Sequence, residues 1–467
     1  MLARMSTTTG TRFLAALRAA EPDLRLLTDA TDTDAYRYDE TAYLEPGHPL
    51  GVVFPTSTTQ VAAIVRLCAE HRVPLVPRGA GSGLSGGATA IDGALTVVMT
   101  QLDRILEIDA ANLTATVQPG VINADVGRAA AEHGLFYAPD PASFEFCTIG
   151  GNLAENSGGL RCVKYGVTRD AVLGLEVVLA DGAVIRSGGK NAKDVLGYDL
   201  THLFIGSEGT LGIITEAILR LRPKPPPMLT LLAFFPSVAA AGEAVAAMTS
   251  AGLVPATLEL MDRFTIEAVD AAMRIGLDTS AGAMLMVESD LGGAAAEAEL
   301  KVAADACEAA GSTSVLRAAD TTEADWLRQA RRKAHWSLEQ AGVARMDDVG
   351  VPRSRVPQML AAIEKVAIAH SMRIGVFGHA GDGNLHPTYV MDRDDLAAGA
   401  RIEAARADIY AAALAMGGTV SGEHGTGIAK RSYLVRQRGA DSVRVMRSLK
   451  DALDPLGILN PGKVLEV

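Results

Sequence analysis

The chain has 467 residues, 48 % hydrophobic and 21 % charged, ordinary values for a globular protein with a substantial core. A net charge of −12 and only 4 % aromatics exclude nucleic acid as the main partner, since phosphate needs a basic face and single strands need stacking platforms. Four scattered cysteines (Cys68, Cys147, Cys162, Cys307) form no C-x-x-C motif, which excludes iron–sulfur clusters, thiolate zinc sites and a disulfide framework.

Taken in order, residues 1–50 read as a helix (TRFLAALRAA) followed by polar loop. The opening MLARMSTTTGTRF lacks a signal peptide's continuous apolar core, and no apolar run reaches the length of a membrane span. The expected location is therefore the cytoplasm, with peripheral attachment at the inner membrane as a variant of it. From Gly51 to Leu221, short β-rich runs alternate with Ala-rich helical stretches, as in GVVFP, TTQVAAIVRLCAEH and VPLVPRG, a pattern of α/β or α+β type. RPKPPPM (222–228) has four prolines in seven residues and is the clearest linker. Beyond it, strands such as LTLLAFF and AMLMVES alternate with the helical stretches SVAAAGEAVAAMTSAG and GAAAEAELKVAADACEAAG, predicting an antiparallel sheet with helices on one face. The expected division is 1–222, 223–410 and a C-terminal segment, 411–467, that ends in DPLGILNPGKVLEV. No period of 20–50 residues repeats, so solenoids and propellers are excluded.

PRGAGSGLSGGA (77–88) formally matches the dinucleotide fingerprint through Gly81, Gly83 and Gly86. The match is weak: Pro77 directly precedes the loop, Gly86-Gly87 stands where the helix should begin, and the candidate acid Asp103 comes only 17 residues after Gly86. The better reading is a loop whose exposed backbone N–H groups form an anion nest for a pyrophosphate. A second cluster, Gly150-Gly151 and Gly158-Gly159, brackets Asn152, Asn156 and Ser157, and GSEGTLGIIT (206–215) adds a third glycine-rich turn.

Three of nine histidines fall in GHAGDGNLH and SGEHG: His379, His386 and His424. Asp382-Gly383 is a two-residue hairpin signal, and closing that turn pairs His379 with His386. Opposed residues have Cβ atoms about 4.5–5.5 Å apart, close enough for two imidazoles to share an ion. Glu423 is a third candidate ligand. Considered singly, each of these residues has an ordinary reading as a packed histidine or a solvated carboxylate.

These motifs resemble a family. Residues 51–222 look like the FAD-binding domain of vanillyl-alcohol oxidase-type flavoproteins. PRGAGSGLSGGA, CTIGGNLAENSGGLRCVKYGVTRD, GLEVVLADG, KDVLGYDL and GSEGTLGIITEA are similar to its glycolate oxidase subunit, D-lactate dehydrogenase and D-2-hydroxyglutarate dehydrogenase branch. The likeness continues through GHAGDGNLHP and SGEHGTG to DPLGILNPGK. It implies an α+β fold: a two-subdomain FAD-binding domain plus an α/β cap domain with an antiparallel sheet. It implies FAD, gripped at Arg78, Gly79, Ala80, Gly81 and Ser82, with further contacts from Pro139, Asp140, Ser143, Thr148, Gly151, Asn156, Gly158, Glu208, Ile213 and Asn460. Relatives with covalent flavin use a histidine in the first loop; Ser82 stands about there, so the FAD is expected to be noncovalent.

The resemblance also assigns His379, His386 and Glu423 as ligands of one divalent metal, zinc by expectation although iron or manganese suit the same donors. His424 becomes the catalytic base and Arg332 the substrate-carboxylate partner, with Arg331 as a register-shifted alternative. The implied reaction is oxidation of a small D-2-hydroxyacid to the 2-oxo acid with hydride transfer to flavin N5, the electrons passing to a quinone, a cytochrome or an electron-transfer flavoprotein. A homodimer is compatible with this reading. Met346, Thr388 and Trp336 replace polar residues of the hydroxyglutarate enzymes, which points to a monocarboxylic substrate with an apolar tail. The competing readings are an oxygen-using 2-hydroxyacid oxidase on the same fold and a non-catalytic partner subunit.

Overall fold

Ser57 accepts a hydrogen bond from the Gln60 N–H at 3.2 Å and starts the helix Thr58–His71, which Arg72 closes in the left-handed conformation (φ 55°). Thr148 likewise caps Ile149–Glu155, and Asn156 ends it at φ 58°. The first helix precedes the strand Leu75–Arg78 that leads into the first glycine cluster, and the second carries Gly150-Gly151 in its first turn. The structure is a computed structural model that describes residues 7–41, 43–395 and 397–466; the first six residues, part of the stretch read as lacking a leader, lie outside them. Among the described residues no helix is long and apolar enough to cross a membrane.

The chain divides into two units. One comprises the chain up to Gly158, Val167–Lys224 and everything from Glu423 onward; the other comprises Gly159–Gly166 and Pro225–Gly422. The division between Lys224 and Pro225 falls inside the proline-rich segment. Its first residues, Arg222–Pro223, still pair with Phe136 and Leu135.

The first unit holds two main sheets. In one, Gly51–Phe54, Leu95–Val98 and Leu75–Arg78 run parallel, with Arg25–Leu27 antiparallel at the edge. The other is a five-stranded antiparallel sheet in the order Ile105–Asp109, Thr114–Val117, Ile213–Arg220, Val172–Val178, Val184–Gly188. Each sheet has its own apolar core. The C-terminal Ile458–Asn460 stretch bonds along Leu75, through Leu75 N–H to Ile458 O and Asn460 N–H to Leu75 O, both 2.8 Å. No helix follows the first glycine loop; the chain reaches Leu95–Val98 through turns, which rules out the dinucleotide βαβ geometry there.

The second unit is built on an antiparallel sheet, with central strands Leu229–Phe235, Ala283–Ser289, Thr257–Asp262, Arg373–His379 and Asn384–Met391 side by side. The expectation of helices on one face is corrected. Leu232, Phe234, Met284 and Met286 pack with helices Arg263–Met273, Thr321–Arg332 and Ala334–Gln340. Their strand neighbours Leu231, Ala233, Phe235, Leu285 and Val287 are equally buried, and helices Val238–Ser250 and Gly293–Ala309 pack against the same strands. Both faces are covered, which is why LTLLAFF and AMLMVES read as continuous apolar runs rather than alternating ones.

Candidate active site

The strand Leu75–Arg78 delivers the first glycine loop to one side of a groove in the first unit, of about 970 Å³ including space open to solvent. Arg78, Gly79, Ala80, Gly81, Ser82, Ser143, Thr148, Gly151, Glu208 and Ile213 line it, together with Glu155 and Ser157. Two glycines there are required by close approach. A Cβ on Gly79 would fall on the Thr148 hydroxyl, and one on Gly81, already at φ +80°, would fall on the Arg78 guanidinium. Arg78 is buried beneath the loop, donates to Tyr38 O at 2.7 Å, and is depressed below its usual pKa by burial.

The remaining expected flavin contacts sit elsewhere in this unit. Pro139 and Asp140 are buried off the groove. Asn156 accepts from the Arg169 N–H at 2.9 Å. Gly158 gives room to the Glu423 side chain, onto which its Cβ would intrude. Asn460 lies beneath the first loop: its amide donates to Gly87 O at 3.0 Å and Glu208 O at 2.7 Å, tying the C-terminal segment to two glycine turns.

A buried charge cluster underlies these loops, and sequence reasoning missed most of it. Glu208 accepts the N–H groups of Thr426 and Gly427 at 2.7 and 2.8 Å, and burial pushes its carboxyl up to about 7. Burial, then the charge of Glu208, pushes Glu155 well above the usual carboxylate range. Lys463 donates to the carbonyls of Gly86 and Thr89 at 2.7 and 2.6 Å, and burial brings it down to about 8. Glu155 stands between the two glycine pairs of the second cluster, a signal that could have been read. Just after Glu423, Gly425 adopts φ +85°, and its Cβ would collide with Glu155. His424 Nε2 and Glu423 Oε1 lie 3.7 Å apart on a bent segment. The two side chains thus converge, whereas an extended backbone would have pointed them to opposite faces.

In the second unit the histidine hairpin differs from the expected register. The connection is a four-residue loop, 380–383, and the pairs are His379↔Asn384, Gly378↔Leu385 and Phe377↔His386. Gly381 is unavailable to the ladder because its N–H donates to Leu258 O on the neighbouring strand at 3.0 Å. The displacement is two residues, so the side chains keep their faces; a shift of one would have inverted them. His379 and His386 become diagonal neighbours, with ring centroids 5.1 Å apart and planes at 85°.

Both imidazoles are buried and surrounded by charge. His379 Nδ1 lies 2.8 Å from Glu259 Oε1, and Glu259 Oε2 lies 2.7 Å from Arg331 Nη2. Arg331 is 3 % exposed and sits over the Phe377 ring at 4.9 Å, so it is engaged inside the unit. Arg332, the last residue of the same helix, is half-buried. Asp348 accepts from the Asn384 amide at 2.5 Å, the Ser421 hydroxyl at 3.1 Å and the Gly422 N–H at 2.8 Å, which anchors the residue preceding Glu423 in the chain. His386 Nδ1 is 3.9 Å from Asp348. Two ring nitrogens, with one imidazole already oriented through its Nδ1, suit a borderline metal ion.

A groove this large, walled by glycines and peptide groups, suits a dinucleotide held along its length. Residues 49–188 match the family model described as FAD binding domain. Residues 224–464 match FAD linked oxidases, C-terminal domain, and the chain belongs to the FAD-linked oxidase family of oxidoreductases. It is 47 % identical over 430 residues to "Glycolate oxidase subunit GlcD" of Bacillus subtilis, covering 92 % of this chain and 91 % of that protein. It is 35 % identical over 453 residues to "D-lactate dehydrogenase" of Anaerostipes hadrus, covering 94 % of each. Among solved structures, p-cresol methylhydroxylase with substrate bound superposes with a TM-score of 0.84 at 18 % identity, over 99 % of this chain and 98 % of that one. The vanillyl-alcohol oxidase-type fold is shared with that enzyme.

Proposed function

We propose that the protein is an FAD- and divalent-metal-dependent dehydrogenase that oxidises a D-2-hydroxyacid to the 2-oxo acid. The observation that carries this reading is the buried His379–His386 juxtaposition, with Nδ1 of His379 already bonded to a carboxylate. Relatives named glycolate oxidase subunit and D-lactate dehydrogenase support the substrate class. FAD, held noncovalently by the glycine loops, would supply the two-electron acceptor for hydride leaving Cα. A metal held by His379, His386 and Glu423, zinc being the ion expected, would supply the positive charge that lowers the hydroxyl pKa.

The chain's own groups divide the remaining work. His424 takes the proton from the 2-hydroxyl as general base. Arg332 holds the substrate carboxylate by a charge-assisted hydrogen bond; Arg331, engaged with Glu259, does not compete for that role. Met346 and Thr388 are directly opposed across two strands, and Met346 packs on the apolar cluster containing Phe377 and Val390. That supports a substrate whose far end is apolar rather than a second carboxylate.

Anaerobic titration with D- and L-2-hydroxyacids, before and after a strong chelator, tests the proposal. Bleaching of the flavin by D-acids, abolished on chelation while the flavin spectrum persists, is the expected result. Full activity in a metal-free preparation, or a higher kcat/KM for 2-hydroxyglutarate than for every apolar-tailed acid, overturns the metal or the substrate assignment respectively. Rapid peroxide formation in air identifies an oxidase instead.

A further inference from the structure

Glu259 lies in the middle of the strand Thr257–Asp262, one step along from the Leu260↔Gly378 pair that joins it to the strand carrying His379. It is 1 % exposed. A carboxylate at that depth survives only with a counter-charge, and Arg331 supplies it at 2.7 Å from the helix Thr321–Arg332. The ion pair has a consequence for the histidine. With Arg331 against Oε2 at 2.7 Å, Glu259 turns Oε1 to the imidazole as a hydrogen-bond acceptor at 2.8 Å, so Nδ1 of His379 is the donating nitrogen. Nε2 is then the unprotonated nitrogen, and the bond to Glu259 fixes the orientation of the ring. The same arginine covers Phe377, whose ring lies 5.4 Å from His386 and is the cross-strand partner of that second histidine.

We propose that Glu259 is a positioning residue for the metal centre: it selects the Nδ1–H tautomer of His379 and locks the ring so that Nε2 is the ligand atom, with Arg331 holding Glu259 in place. The proposal rests on the metal reading above and extends it to two residues that touch neither metal nor substrate. Outer carboxylates of this kind typically contribute about 10- to 100-fold to metal affinity.

The test is competitive titration of zinc against a chromophoric chelator, on FAD-loaded protein, with FAD content and thermal unfolding measured alongside. Glu259→Ala leaves Arg331 buried without its partner and risks misfolding, so the informative variant is the double substitution Glu259→Leu with Arg331→Met, which removes both charges at similar volume. The expected result is a zinc affinity about 10- to 100-fold weaker, with FAD content and unfolding temperature near wild type. If His379→Ala loses its zinc while the double variant binds as tightly as wild type, Glu259 is merely structural and the proposal is overturned, with the metal reading intact. If wild type and His379→Ala bind zinc equally, the metal reading itself fails and this inference falls with it.

Discussion

Gly81→Ala should damage FAD binding where Gly83→Ala, two residues on in the same loop, should not. At position 81 the backbone is at φ +80° and the added Cβ would overlap the Arg78 guanidinium. The left-handed conformation costs a non-glycine residue about 1–2 kcal/mol. Displacing Arg78 breaks its 2.7 Å hydrogen bond to Tyr38 O, a charged bond whose loss costs about 1.5–3 kcal/mol. The sum is about 2.5–5 kcal/mol, divided between fold stability and the FAD-bound loop geometry. Even about 1.4 kcal/mol falling on binding weakens FAD affinity tenfold. A Cβ on Gly83, by contrast, comes no nearer than 3.8 Å to any protein atom, at Asp39 and Glu155. The assay is FAD titration of apoprotein by flavin fluorescence quenching, with thermal unfolding of both variants. Equal losses in Gly81→Ala and Gly83→Ala would refute the argument from loop conformation and point to direct crowding of the cofactor.

Acid precipitation should release yellow FAD into the supernatant, identified by chromatography; colour retained in the pellet would contradict noncovalent binding. His424→Ala should keep its metal and FAD yet reduce the flavin at least about a hundredfold more slowly in anaerobic stopped flow, whereas Glu423→Ala should lose metal and activity together. The reverse pattern would swap the two roles. Glu155 is pushed well above its ordinary 4.5 by burial and by Glu208, so the fold binds this proton more tightly than the unfolded chain does. Its stability contribution is complete below about pH 4.5 and is lost as pH rises through the folded value. Glu155→Gln, which mimics the protonated acid, should therefore show a smaller fall in Tm between about pH 5 and pH 8 than wild type. Parallel Tm curves would show that this carboxyl does not carry the pH dependence.

Local chemistry made much of the architecture legible. The four prolines of 222–228 mark the place where one unit gives way to the next, and Pro77 with Gly86-Gly87 shows that no helix follows the first loop. The motif order carried the family, since several long strings recur in one sequence from PRGAGSGLSGGA to DPLGILNPGK.

Tertiary structure decided what depends on partners distant in the chain. The Asp382-Gly383 signal predicts a two-residue turn, but the bond from Gly381 to Leu258 draws Ala380 and Gly381 into the loop. The strands LTLLAFF and AMLMVES predict a sheet with helices on one face, and only packing shows helices on each side. Glu259 within TLELM and Lys463 within NPGK look in sequence like ordinary surface charges. Their significance lies in Arg331, 72 positions from Glu259, and in the carbonyls of Gly86 and Thr89, more than 370 positions from Lys463. A sequence pattern records the spacing of neighbours along the chain. A buried charge is defined by whichever groups the fold brings to it, and that information exists only once the chain has closed around it.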